Sequence, residues 1–138
     1  MRWWDIPAVA ELEQRCYDHD HWSQESFWGE LAAGQVYRVV DDDGVVGYAG
    51  LSLSLDVANI QTVGVDPDRR GHGLGGQLVD ALLAEARLRD LRRVELEVAA
   101  RNTVARGLYE SRGFVEVGLR RGYYAADKDD AVLMVVRL

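Results

Sequence analysis

Residues 63–76 read Val-Gly-Val-Asp-Pro-Asp-Arg-Arg-Gly-His-Gly-Leu-Gly-Gly. This segment passes from an apolar strand through a turn into a loop with few side chains, and a long amphipathic helix begins near Gly75. The backbone N–H groups of a glycine loop and the positive end of a helix dipole can bind a pyrophosphate without a lysine. The sequence therefore predicts a binding site for a cofactor that carries phosphates.

Two known phosphate-binding loops can be compared with residues 71–76. A P-loop ends in Gly-Lys-Ser/Thr, whereas Gln77 follows the last glycine here. The spacing does match the dinucleotide fingerprint Gly-x-Gly-x-x-Gly, and Glu95 and Glu97 lie near the distance expected for its acidic residue. A dinucleotide fold usually opens with this loop, but here a long segment precedes it. The glycine pattern alone leaves this fold and an ordinary flexible turn open.

Composition limits the class of protein. The chain has 138 residues, of which 48% are hydrophobic, so residues 1–138 are expected to form one domain with its own core. The sequence contains neither a run of about 18 apolar residues nor a signal-peptide pattern, which predicts a cytoplasmic protein without membrane contact. The net charge of −7 opposes direct binding to nucleic acid and favours cationic partners.

The cysteine and histidine positions indicate neither a nucleophile nor a metal. Cys16 is the single cysteine and falls on the apolar side of a predicted helix, which is typical of a core position. His19 and His21 lack the spacing of a metal site. The acidic residues 41–43 precede Gly44 and read as a hairpin turn, because Asp-Gly readily adopts the positive φ angles that such a turn requires.

Helix signals occur at four places. Asp5, Ser23 and Asn102 are candidate amino-terminal caps, and Gly34 and Gly113 are candidate helix ends. The predicted helices run from Asp5 to about Tyr17, from Ser23 to Gly34, from near Gly75 onward, and from Asn102 to Gly113. The third helix is expected to bury Leu78, Val79, Leu82, Leu83 and Ala86.

The strand signals lie between these helices. The predicted strands cover residues 36–40, 45–55, 59–65, 93–98, 114–119 and 131–137. Residues 93–98 alternate strictly, so Val94, Leu96 and Val98 share one face while Glu95 and Glu97 lie on the other. Because helices and strands are interspersed, the sequence predicts a mixed α/β sheet.

The chain resembles the GCN5-related N-acetyltransferase (GNAT) family, which uses acetyl-coenzyme A. Residues 70–75 fit that family's pyrophosphate motif, Arg/Gln-x-x-Gly-x-Gly/Ala, between a strand and a helix. Within the family, the chain is most similar to the bacterial ribosomal-protein-alanine N-acetyltransferases. That narrower likeness rests on residues 65–68, 96–98 with Asn102, 108–114 and 118–124.

The resemblance implies a fold and a cofactor site. The implied fold is a single α/β domain with a central mixed, mostly antiparallel sheet flanked by helices, and the glycine loop joins a central strand to a long helix. The strand backbone at residues 63–65 would pair with the pantetheine arm of acetyl-coenzyme A, and Gly64 would leave room for it. The implied cofactor-binding residues are Val63, Gly64, Val65, Arg70, Gly71, His72, Gly73, Leu74, Gly75, Gly76, Asn102 and Tyr109.

The resemblance also implies a direct transfer within a ternary complex. Glu97 matches the family's general base, and Tyr109 matches its general acid. A peptide α-amine has a pKa of about 8, whereas the lysine side chain has a pKa of about 10.4. The α-amine therefore depends less on a general base to lose its proton. Trp22, Arg120, Tyr123 and Tyr124 match positions that shape the peptide site.

The expected partners are acetyl-coenzyme A and the basic amino terminus of a protein, foremost a ribosomal protein, with the chain as a monomer or weak dimer. Two alternatives remain: an acetyltransferase for lysine or a small polyamine, and a non-catalytic acyl-coenzyme A sensor. One departure from the family is that its usual first strand would shrink to about residues 1–4.

Overall fold

The computed structural model describes residues 1–17, 21–124 and 129–138. Its helices are α1 (Ile6–Cys16), α2 (Gln24–Ala32), α3 (Leu74–Leu88) and α4 (Thr103–Glu110), with short 3-10 turns at Trp3–Asp5 and Pro67–Arg69. The strands are β1 (Val36–Asp41), β2 (Val45–Ser54), β3 (Val57–Val65), β4 (Arg93–Ala99), β5 (Val115–Tyr124) and β6 (Asp129–Arg137). Within the described ranges, no helix is long and apolar enough to cross a membrane.

The strands form one sheet in the order β1-β2-β3-β4-β6-β5. Neighbouring strands are antiparallel except for β3 and β4, which run parallel. The predicted mixed, mostly antiparallel sheet is therefore confirmed, and the glycine loop joins the central strand β3 to the long helix α3. The hairpin between β1 and β2 turns at Asp43 and Gly44, whose φ angles are 56° and 116°, as the sequence predicted.

The parallel pairing of β3 with β4 is short. It joins residues 57–60 to residues 93–96 and then ends, although β3 stays paired with β2 as far as Val65 and β4 stays paired with β6 as far as Ala99. The register between β2 and β3 shifts at Gln61, and such a bulge bends a strand and increases its twist. The two strands therefore separate. We call the gap between residues 61–65 and residues 97–99 the strand opening.

Helices cover both faces of the sheet. Side chains alternate along a strand, so Val36 and Ala49 join the larger core cluster with α3, whereas Tyr37 and Tyr48 join a second cluster with α1 and α2. The five α3 residues that the sequence predicts to be in the core are all buried. They are Leu78, Val79, Leu82, Leu83 and Ala86.

Two of the predicted helix caps are confirmed by their hydrogen bonds. The Ser23 hydroxyl accepts the N–H of Ser26 at 3.2 Å, and Asn102 Oδ1 accepts the N–H of Ala105 at 3.1 Å. Gly34 and Gly113 follow α2 and α4 with φ angles of 78° and 91°, in the left-handed region that glycine tolerates best.

The first few residues differ from the prediction. Residues 1–4 were expected to contain a short strand, but Trp3–Asp5 is a 3-10 turn that leads directly into α1. Asp5 therefore has helical φ and ψ angles of −79° and −18°, and its carboxylate accepts the N–H of Arg2 at 2.8 Å instead of capping α1. The prediction of an Asp5 side-chain cap on α1 was wrong because a second helical turn precedes it.

Glu13 is a buried carboxylate that the sequence analysis did not single out. It lies on α1 with only 2% of its surface exposed. Its carboxylate accepts the N–H of Trp22 at 2.8 Å, the hydroxyl of Thr62 at 3.0 Å and the hydroxyl of Tyr48. One side chain thus ties α1 to β2, to β3 and to the segment before α2.

We expect Glu13→Ala to lower the free energy of unfolding by about 3 kcal/mol, because it leaves several buried donors without an acceptor. Urea denaturation followed by circular dichroism would measure the loss. Glu11→Ala on the exposed side of α1 is the matched control and should change stability by less than about 0.5 kcal/mol. Equal stability of the two variants would contradict this account of Glu13.

Candidate active site

Glu97 lies at the base of the strand opening. It is the first residue of β4 beyond the parallel pairing with β3, and about 25% of its side chain is exposed. Its Oε1 atom is 3.4 Å from the Arg120 guanidinium on β5, across the intervening strand β6. The structure thus brings together two residues that the sequence assigned to different roles, a base and a peptide contact.

Tyr109 enters the site from α4. Its ring is buried and packs edge-on against Phe114, with 5.6 Å between ring centroids. The pKa of Tyr17 is raised, mainly because its own hydroxyl is buried. The nearby Tyr109 hydroxyl contributes to the same increase. Tyr109 is therefore both a core aromatic and a neighbour of the end of α1.

The glycine loop has the backbone of an anion site. Gly71 and Gly73 have φ angles of 84° and 79°, and a Cβ atom at either would meet nothing within 4 Å, so conformation rather than crowding favours glycine there. The helix α3 begins at Leu74 with Gly73 as its cap, and Gln77 donates the first helical hydrogen bond, to the Gly73 carbonyl at 3.1 Å. The N–H groups before Gln77 have no partner within the helix and can face a phosphate.

Gly76 has a packing role that the motif did not indicate. A Cβ atom on Gly76 would lie 2.2 Å from the Arg112 guanidinium, which pairs with Asp80 of α3 at 2.9 Å. A Cβ atom on Gly75 would lie 3.4 Å from Leu108. The missing side chain of Gly76 thus leaves room for the ion pair between Arg112 and Asp80, whereas a methyl group on Gly75 would make only an ordinary contact.

Gly64 is also required by the protein itself. It is buried, and a Cβ atom there would lie 2.3 Å from the Tyr48 ring. From the sequence, Gly64 is expected to leave room for the approach of another backbone. The structure shows that an internal tyrosine already demands the missing side chain, so Gly64 alone carries no information about a ligand.

Arg70 and Cys16 meet at the end of β3. The Nε atom of Arg70 and the Sγ atom of Cys16 each donate to the Val65 carbonyl at 3.4 Å. Cys16 is half-buried, and burial is the main cause that raises the pKa of its thiol. A raised pKa disfavours the reactive thiolate, which agrees with the prediction that Cys16 is not a nucleophile.

The remaining predicted site residues occupy different environments. His72 and Asn102 are exposed. Trp22 is half-buried, and its ring lies 5.4 Å from Phe27 and 6.5 Å from Tyr37, so packing in the smaller core accounts for part of its position. The side chains of Tyr123 and Tyr124, and residue His19, lie outside the part of the chain that the structure describes.

Tyr17 is a site residue that sequence reasoning missed. Its hydroxyl donates to the Val63 carbonyl at 2.6 Å, at the strand opening. The sequence predicts residue 17 only as the approximate end of the first helix, because hydrophobic periodicity gives no information on which side chain folds back over a neighbouring strand.

Comparison with known proteins identifies the family. Residues 2–114 match the model of the acetyltransferase (GNAT) family. The chain is 36% identical to the ribosomal protein bS18-alanine N-acetyltransferase of Salmonella typhimurium over 96% of this chain and 90% of that protein. It is 39% identical to the N-alpha-acetyltransferase RimI of Mycobacterium tuberculosis over 94% of this chain and 85% of that protein.

A solved structure has the same fold over nearly the whole chain. The crystal structure of the ribosomal-protein-S18-alanine N-acetyltransferase from Escherichia coli has a TM-score of 0.91 and 32% identity, covering 99% of this chain and 90% of that one. Because both the family match and the relatives extend over most of the sequence, the chain is an acetyltransferase that uses acetyl-coenzyme A. It belongs to the GNAT family.

Proposed function

We propose that this enzyme acetylates the α-amino group at the amino terminus of a protein, with the amino-terminal alanine of a ribosomal protein as its substrate. The observation that carries the proposal is the nearly full-length likeness to enzymes named for that reaction. The net charge of −7 supports it, because an acidic enzyme attracts basic protein termini. A ribosomal substrate would place the reaction in the cytoplasm. The proposal also has the chain acting as a monomer or weak dimer, without direct contact to nucleic acid.

The strand opening and the glycine loop fit acetyl-coenzyme A. Residues 61–65 of β3 have no β4 partner, so a pantetheine arm could pair with them as a strand would. The loop N–H groups at residues 71–76 follow directly, where the pyrophosphate would lie. Arg70, His72 and Asn102 complete the proposed cofactor site, with Arg70 acting mainly on the loop because it already contacts the Val65 carbonyl.

The proposed chemistry needs one base and one acid. Acetyl-coenzyme A supplies the acetyl group as a thioester, which the free amine attacks to form an amide while the carbon–sulfur bond breaks. Glu97 takes the proton from the amine, and the Tyr109 hydroxyl supplies a proton to the leaving sulfur. Glu97 suits its role because it lies at the base of the opening and is partly exposed.

The proposed peptide site includes Trp22, Arg120, Tyr123 and Tyr124. Arg120 pairs with Glu97, so its position depends on the same carboxylate that receives the substrate proton. The backbone of Trp22 is fixed by its N–H bond to Glu13. The contact between Arg120 and Glu97 supports a peptide amino terminus that enters beside Glu97.

The α-amine specificity can be tested with two peptides and the polyamine spermidine. We expect coenzyme A to be released from acetyl-coenzyme A with a basic peptide that has a free amino-terminal alanine. A peptide with a blocked terminus and a free internal lysine should give no release, because its amine holds its proton more tightly. Release with that peptide would favour a lysine or polyamine enzyme. Tight binding of coenzyme A with no release from any amine, including spermidine, would favour a sensor.

The proposed acid and base can be tested by substitution. We expect Glu97→Gln and Tyr109→Phe each to lower kcat by about 10²-fold or more while the Kd for coenzyme A changes little. Glu95→Gln is the matched control, because Glu95 lies two residues away on the same face of β4 and pairs with Arg93 at 2.7 Å. Full activity in the Glu97 and Tyr109 variants would overturn the assigned roles.

The phosphate loop can be tested by substituting two glycines that have nearly the same positive φ angle. Gly73→Ala should raise the Kd for coenzyme A about tenfold, because it disturbs the cap that orients the loop N–H groups. Gly34→Ala is the control, since Gly34 has a φ angle of 78° against 79° at Gly73 and both have open space around a Cβ atom. Isothermal titration calorimetry would measure both. A similar Kd in the two variants would contradict the loop assignment.

A further inference from the structure

The end of α1 covers the free edge of β3. Tyr17 donates to the Val63 carbonyl at 2.6 Å, and Cys16 donates to the Val65 carbonyl at 3.4 Å. Asp66 donates its N–H to Val46 of β2, and successive residues of a strand direct their hydrogen-bonding groups to opposite edges. Val63 and Val65 therefore face the strand opening, where β4 no longer provides partners.

The Tyr17 hydroxyl remains a hydrogen-bond donor near neutral pH. Burial is the largest cause of the raised pKa of Tyr17, followed by the proximity of Tyr109, Glu13 and Cys16. The hydroxyl therefore stays protonated and keeps its hydrogen bond at any pH near neutrality. The rest of the side chain is accessible, since 38% of the residue surface is exposed.

The Tyr17 hydroxyl occupies the position that the donor of a pairing strand would take. A pairing strand would place its own donor about 2.9 Å from the Val63 carbonyl oxygen. The Tyr17 phenol oxygen already lies 2.6 Å from that atom. A pantetheine arm that pairs with residues 61–65 would use the same carbonyl and the same gap. The Tyr17 hydroxyl and the arm therefore compete for this position.

We propose that Tyr17 sets the affinity for acetyl-coenzyme A by closing the β3 edge in the free enzyme, so that the cofactor must displace its hydroxyl from the Val63 carbonyl. This inference rests on the proposed cofactor site at residues 61–65. After transfer, the return of Tyr17 competes with coenzyme A for the edge and promotes product release.

The displacement is confined to the Tyr17 side chain. The last turn of α1 is held by Arg15, whose guanidinium pairs with Asp66 at 2.9 Å. Tyr17 is the residue that ends α1: its N–H donates to the Glu13 carbonyl at 2.9 Å, while its φ and ψ angles of −129° and 117° are extended. The side chain can therefore turn outward while α1 stays fixed against β3.

The proposal is tested by whether Tyr17→Phe raises or lowers the affinity for coenzyme A. Tyr17→Phe removes the competing donor, so it should bind coenzyme A about three- to tenfold more tightly than the wild type in isothermal titration calorimetry. An unchanged or weaker affinity would overturn the proposal, because a merely structural or cofactor-contacting tyrosine gives one of those results. Failure of the wild type itself to bind coenzyme A would instead overturn the proposed cofactor site.

A thermal measurement provides an independent readout. Tyr17→Phe should lower the Tm of the free enzyme, and the difference from the wild type should disappear at saturating coenzyme A, where neither protein has the hydrogen bond. Tyr37→Phe is the matched control. The Tyr37 hydroxyl donates to Glu30 at 3.3 Å in the second core cluster, away from the strand opening. Its Tm deficit should persist with coenzyme A. A Tyr17→Phe deficit that also persists would overturn the proposal.

Discussion

The site depends on the early end of the parallel pairing between β3 and β4. Four residues of each strand pair, and the bulge at Gln61 then directs β3 away while β2 and β6 hold the two strands in the sheet. The separation exposes backbone groups of β3 and places Glu97 at the base of the gap. A sheet with continuous pairing would satisfy the same backbone groups but would leave no edge for a strand-like ligand.

Glu13 stabilises β3 at the strand opening, where pairing with β4 has ended. Its buried carboxylate accepts hydrogen bonds from β2, from β3 and from the segment before α2. Removing a carboxylate from water is costly, and three donors offset that cost. Because Thr62 is one of these donors, the network fixes β3 beside Val63, at the place where β4 no longer supports it. The same contacts also hold Trp22.

Sequence patterns predicted the elements and most of the core, since periodicity reports which face of a helix or strand is buried. Alternation in β4 placed Glu97 on the face opposite Val98, and side-chain chemistry identified Ser23 and Asn102 as caps. Contacts between residues that are far apart in the sequence could not be predicted from these patterns. Nothing in the local pattern indicates that Gly64 accommodates Tyr48, that Arg120 reaches Glu97, or that Tyr17 folds over β3.

An open strand edge has opposite requirements in the free and bound enzyme. Unpaired carbonyls that are shielded from water lower stability, so the free enzyme gains from any donor that covers them. The same donor weakens a ligand that needs those carbonyls. A single hydroxyl at the end of a fixed helix, as at Tyr17, resolves the conflict because it satisfies Val63 but costs only one hydrogen bond to displace. Such a residue trades cofactor affinity for stability and for release of the product.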